Sequence, residues 1–233
     1  MKKRYCVSII LLLLYTACSD MNESLDPYLS KGEIIYIAKS DSVKIYSGNE
    51  RFLLQFWMSD PRAVELCVYW SQKGDSLIIP IAEDRNITEP IELFIGKNEK
   101  IISEGNYTLN LVTRDKYKNM SVIDEYNANV YGEKFASSLL NKYVKSVEAI
   151  GDSILKIAWG GAYSSTEYGI KLFYVSKENS NEEQIFTTEI LKKEMNLTDV
   201  DVKQPIYYST IYLPEPTAVD TFYTEKVLLK ITK

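Results

Sequence analysis

The chain of 233 residues contains no histidine. That absence excludes Ser-His-Asp and Cys-His nucleophilic chemistry, histidine general bases and nearly every catalytic zinc site. Cysteine is almost as scarce, with copies only at positions 6, 18 and 67. Cys67 sits in the apolar segment Val64–Trp70, where a buried and inert thiol is expected. Positive charge is short as well: 27 Lys+Arg stand against 32 Asp+Glu, for a net charge of −5. Affinity for duplexes comes from counterions displaced by basic side chains, so nucleic acid is not an expected partner. The apolar run from Val7 to Leu14 falls far short of the ~20 residues that a membrane-spanning helix needs. What remains, 45% hydrophobic and 25% charged residues, is ordinary globular composition rather than disorder.

The short apolar run has a specific setting. Lys2, Lys3 and Arg4 precede it and Tyr15-Thr16-Ala17-Cys18 follows, the order of a secretory leader with small residues at its cleavage point. A cysteine directly after the small pair resembles a bacterial lipobox. That resemblance implies a signal peptide over residues 1–17, palmitate-type acylation of Cys18, and the lipid bilayer as a partner through that cysteine. Loss of three basic residues and no acid takes the mature net charge from −5 to −8. Cys67 is then left without a partner for an intramolecular disulfide. Residues 18–32 read as a flexible acidic tether with little apolar surface to bury. Within it, Ser19-Asp20-Met21-Asn22-Glu23 resembles the export tag of Bacteroidetes surface lipoproteins, which implies a lipid-anchored outer-membrane protein on the cell surface.

From residue 33 the pattern is that of short strands. Alternating or densely apolar segments such as Ser42–Tyr46, Arg51–Met58, Val64–Trp70, Ser76–Ile81, Ile91–Ile95 and Thr108–Thr113 are separated by Gly, Asn and Asp turns. That spacing is the one expected of an immunoglobulin-like sandwich. Over Gly132–Lys142, Phe135 with Leu139 and Ala136 with Leu140 make i,i+4 pairs, which predicts a short helix. Strands resume at Val144–Ala149, Ser153–Trp159, Tyr168–Val175, Gln184–Thr188, Ile206–Leu213 and Tyr223–Ile231, with a second helical turn at Ile190–Asn196. Trp57 and Trp159 each end an apolar strand at a similar distance from Ser42-Val43 and Ser146-Val147, which favours two related units. The expected fold is all-β: a sandwich over residues 33–125, a linker with a short helix over 126–142, and a second β-sandwich over 143–233.

Gly105-Asn106-Tyr107-Thr108-Leu109 resembles the approach to strand F of a fibronectin type III module, with Tyr107 in the place of the tyrosine-corner residue. Several further segments resemble, in their order along the chain, a Bacteroidetes lipoprotein family, domain of unknown function 4998. They are Asp60-Pro61-Arg62, Val68-Tyr69-Trp70, Asp75-Ser76, Val130-Tyr131-Gly132-Glu133, Leu213-Pro214-Glu215-Pro216 and Asp220-Thr221-Phe222-Tyr223. The resemblance implies fibronectin type III-like modules, in keeping with two tandem immunoglobulin or fibronectin type III-like sandwiches, and the family supplies no catalytic residues; no cofactor or metal is expected.

Candidate sites are few. Tyr69 with Trp70, and the group Tyr207, Tyr208 and Tyr212, would suit stacking on sugar rings if exposed. Trp70 shares parity with Val64, Leu66 and Val68, so its ring is expected to start on the core face. Ser42, Ser76 and Ser153, each after Asp and before an aliphatic residue, resemble Bacteroidetes O-glycosylation acceptors, and the same residues suit turns that enter strands. The leading expectation is a non-catalytic, lipid-anchored envelope protein acting in adhesion, glycan capture or assembly, with glycan or other envelope proteins as partners. The alternatives are a glycan-processing enzyme using acidic side chains only, or a purely structural subunit of an outer-membrane uptake complex.

Overall fold

A computed structural model describes residue 32 and residues 34–232, apart from 71–73, 97–100 and 193. The leader, Cys18 and the tether up to residue 31 lie outside the described residues. The first module contains β1 (Asp41–Asn49), β2 (Arg51–Trp57), β3 (Ala63–Trp70), β4 (Asp75–Pro80), β5 (Ile91–Gly96), β6 (Gly105–Asp115) and β7 (Asp124–Tyr131). A short helix, α1 (Glu133–Ser138), leads into the second. That module is built from β8 (Val144–Ile150), β9 (Ile154–Trp159), β10 (Glu167–Val175), β11 (Asn181–Thr187), α2 (Thr188–Leu191), β12 (Met195–Thr198), β13 (Tyr207–Tyr212), β14 (Phe222–Tyr223) and β15 (Val227–Leu228).

Each module is a sandwich of two sheets with the same strand order. In the first, β1-β2-β5 faces β4-β3-β6-β7, and the end of β1 joins the sheets by pairing in parallel with β7, Gly48 opposite Val130. In the second, β8-β9-β12 faces β11-β10-β13, with β14 and β15 sharing the outer edge of β13. The first, second and fifth strands thus form one sheet in both modules. Alternation along the strands sends apolar side chains into the gap. Phe52, Leu54 and Phe56 of β2 meet Leu66, Val68 and Trp70 of β3 and Leu109 and Leu111 of β6, all buried. Leu155, Ile157 and Trp159 of β9 meet Ile170 and Leu172 of β10 and Tyr208 of β13. Tyr107 donates its hydroxyl to the Ser103 carbonyl at 2.7 Å, the bond of a tyrosine corner.

Several boundaries differ from those expected. β7 runs to Tyr131, so residues 126–131 belong to a sheet rather than to a linker. Asn127 and Asn129 mask the strand, while Tyr126, Ala128 and Val130 alternate into the core. The helix stops at Ser138, because Leu139 is already extended and Leu140 is exposed, so neither i,i+4 pair forms within it. Residues 195–196 are strand, not helix: Met195 and Leu197 are buried in alternation against β9, whereas Ile190 faces solvent. The two tryptophans are not equivalent. Trp57 points out of its sheet and donates Nε1 to the Thr88 carbonyl at 3.3 Å, while Trp159 is core.

Candidate functional site at the module junction

The densest polar arrangement lies where the modules meet. Its first half is the tight β1–β2 hairpin, closed by Glu50 with φ of 57°. Its second half is the loop 213–221 between β13 and β14, in which Pro214 and Pro216 restrict the backbone on either side of Glu215. Asp220 accepts from Arg51 Nε at 2.8 Å and from its Nη2 at 2.6 Å, and from the Asn49 backbone N–H at 2.9 Å. Both Arg51 and Asp220 are three-quarters or more buried. Glu215 accepts from Ser47 Oγ at 2.9 Å, Asn129 Nδ2 at 2.6 Å and the Tyr131 hydroxyl at 3.0 Å. A backbone bond from Val219 N–H to the Ser47 carbonyl, 2.8 Å, lies between the two carboxylates.

The electrostatics follow from these contacts. The hydrogen bond to Asp220 raises the Arg51 pKa against the cost of burial. Burial opposes the Glu215 carboxylate, but its hydrogen bonds from Asn129, Ser47 and Tyr131 outweigh that and hold its pKa below the ordinary value. Burial and the bond to Glu215 push Tyr131 up to about 12. Gly48 is required by close approach, since a Cβ there would stand 2.6 Å from Asp220 Oδ2 and 3.0 Å from Val219 Cγ2.

Helix α1 is held by both modules. Gly132 at its start has no side chain to cap it. Glu104, in the loop before β6, accepts instead from Lys134 N–H at 2.8 Å and Phe135 N–H at 3.0 Å. Phe135 packs edge-on against Tyr131 and Phe222, each with ring centroids 5.0 Å apart. Beyond the helix, Tyr212 donates to the Leu140 carbonyl at 2.7 Å and Tyr208 to the Lys142 carbonyl at 2.9 Å. The Lys142 ammonium is enclosed with the Glu167 carboxylate, which also accepts from Tyr163 N–H at 3.1 Å.

The candidate aromatic groups are parted by the fold, with Trp70 on the core face as its parity predicts. Trp70 is 4% exposed, and its ring belongs to the core while forming part of the wall of a groove of about 570 Å³ between β4 and β5. Tyr69 points to the other face, half-buried, and accepts from Arg114 Nη2 at 2.9 Å. Tyr208 and Tyr212 are buried and spend their hydroxyls on the linker, leaving Tyr207 alone exposed on the opposite face of β13. Strand alternation separates these rings, and core packing takes the largest. Ser42 and Ser76 are exposed at the starts of β1 and β4, and Ser153 is half-buried in the β8–β9 turn. Among the described residues no cluster of three or more acidic or cysteine side chains could hold a metal ion.

The pattern of a family described as a domain of unknown function, 4998, matches residues 18–222. The chain belongs to that family. No curated protein matches it. Among solved structures, the FN1-FN3 domains of chicken CNTN1 are 10% identical, with a TM-score of 0.45 over 85% of this chain and 68% of theirs. A two-module fibronectin type III segment of chicken tenascin is 12% identical, with a TM-score of 0.30 over 83% of this chain and 99% of its own. Three of the segments that carry the resemblance to family 4998 meet in the fold. Val130–Glu133, Leu213–Pro216 and Asp220–Tyr223 are far apart in sequence, yet they supply Tyr131, Gly132, Glu215, Asp220 and Phe222 to one junction. Arg51, Asn129 and Glu104 complete it. No sequence motif marks these three as functional, because each is an ordinary polar residue at a strand end or turn.

Proposed function

We propose that this family 4998 protein is a non-catalytic, lipid-anchored scaffold of the cell envelope, in which two fibronectin type III-like modules act as one stiff unit. The observation that supports it is the junction. Two carboxylates of the second module are fully engaged by Ser47, Asn49, Arg51, Asn129 and Tyr131 of the first. A flexible pair of binding modules has no use for such an investment, whereas an assembly or adhesion spacer depends on a fixed angle. Anchoring rests on Cys18 and its leader, and outward display on the acidic residues behind it.

The test is localisation. The full chain should enter the detergent phase on partitioning and be cut by protease added to intact cells, while Cys18→Ala should stay unacylated and outside the detergent phase. Partitioning of Cys18→Ala with detergent would remove the anchor from this reading.

A further inference from the structure

The pole of the first module opposite the junction carries an unusual surface. The described chain enters there. Ala38 N–H is held by Asp60 Oδ2 at 3.0 Å, and Lys39 Nζ pairs with Asp124 at 3.1 Å, so the entering arm lies beside the β2–β3 and β6–β7 loops. On that arm Ile34, Ile35 and Tyr36 are all exposed, and on the β6–β7 loop so are Tyr117, Val122 and Ile123, with Tyr117 at 74%. Single exposed apolar side chains are commonplace, but a group of them at one end of a module, with Met120 also exposed on that loop, is not.

The loop that carries most of them is shaped in advance. Asp115 accepts from Tyr117 N–H at 2.9 Å, Asn119 N–H at 2.8 Å and Asn119 Nδ2 at 2.8 Å. Ser121 accepts from Thr113 N–H at 3.0 Å and returns its own N–H to the Thr113 carbonyl at 3.0 Å. The turn that carries Tyr117 is therefore fixed, while Ile123, half exposed, borders a shallow groove beside Tyr69 and Val112. Lys116 and Lys118 flank Tyr117. An amphipathic ring between basic side chains, with aliphatic tips alongside, is the composition that sits at a bilayer interface.

We propose that this pole rests on the lipid surface to which the chain is tethered, with Ile34–Tyr36 and the Tyr117–Ile123 loop entering the headgroup layer. The occupant follows from where the tether joins: it meets the first module at this pole, fourteen residues after Cys18. Fourteen residues reach at most ~50 Å even when fully extended, so an acylated Cys18 keeps the pole close to the bilayer at high effective concentration. Weak apolar contacts then suffice. The inference rests on the anchored reading for its biological setting, but its test does not. With the pole seated, the stiff junction points the second module away from the membrane.

The test uses the mature chain from residue 18 with Cys18→Ser, so that no acyl group is present. Flotation is measured with vesicles of phosphatidylethanolamine and phosphatidylglycerol at millimolar lipid. Partial flotation is expected, falling at least ~tenfold in partition coefficient for the triple change Tyr117→Ser, Val122→Ser and Ile123→Ser. A control with Ile185→Ser and Tyr223→Ser, exposed in the second module, should float like the parent. Failure of the parent to float, or unchanged flotation of the triple variant, overturns the proposal. So does self-association of the parent that the triple change abolishes, since that would assign the pole to a second copy of the chain. Failure of anchoring would show in the detergent partitioning of the full chain and of Cys18→Ala, and not in the flotation of the Cys18→Ser chain.

Discussion

At the scale of single residues, the aromatic side chains divide by what their polar tips reach. Trp70 lies in the core with Leu66 and Val68, so Trp70→Ala should cost ~3–5 kcal/mol in chemical denaturation, the range for deleting a buried aromatic. A loss below ~1 kcal/mol would show that the ring is not a core element. Tyr107, Tyr208 and Tyr212 use their hydroxyls on backbone carbonyls instead. Phe at any of these positions removes one such bond, which is worth ~0.5–1.5 kcal/mol. Parity along Val64–Trp70 made the fate of Trp70 legible in the sequence. The fate of Tyr208 and Tyr212 was not, because their partners lie more than sixty residues away in the linker. Cys67 follows the same logic: burial raises its thiol pKa, so it should resist alkylation in the folded chain.

At the scale of elements, local pattern located most strands and failed where an element depends on a distant partner. Most of β7 reads as linker because Asn127 and Asn129 are poor strand formers, yet β6 on one side and the end of β1 on the other supply its hydrogen bonds. Helix α1 has no local cap, and Glu104 provides one from another loop. The loop 213–221 carried a visible signal in Pro-Glu-Pro, but nothing local says which donors Glu215 meets. Those donors set a pH dependence. Glu215 has a lowered native pKa, so its contribution is complete above the ordinary carboxylate value of ~4.3 and disappears as pH falls through the lowered one. Hydrogen exchange at the Val219 amide, bonded to Ser47, should therefore quicken below about pH 4 relative to intrinsic rates. Glu215→Gln should flatten that dependence. Asp60, Asp115 and Asp124 also have lowered pKa values, but they act on the opposite pole and should leave Val219 unaffected.

At the scale of the whole molecule, the question is whether two sandwiches joined by a helix of six residues behave as one body. Inter-module contacts within a chain are often slight enough to permit relative motion. Here the junction combines a bidentate arginine–carboxylate pair, a second carboxylate with three donors, a backbone bond and a cluster of three rings. Small-angle scattering of the mature chain should therefore fit one fixed shape, without the spread of a hinged pair. Arg51→Ala removes two bonds to Asp220, and hydrogen bonds to charged groups are worth ~1.5–3 kcal/mol each at most. Asp220→Ala removes those and the bond to Asn49 N–H as well, leaving both a guanidinium and a backbone donor without that acceptor. The aspartate change should consequently loosen the junction more than the arginine change. Gly48→Ala should loosen it too, by driving Asp220 and Val219 away from the hairpin while both sandwich cores stay folded. The expected order of increasing conformational spread is parent, Arg51→Ala, then Asp220→Ala. Equal spread in all three would mean that the modules are coupled without the Arg51–Asp220 pair, and Asp220 would lose its assigned role.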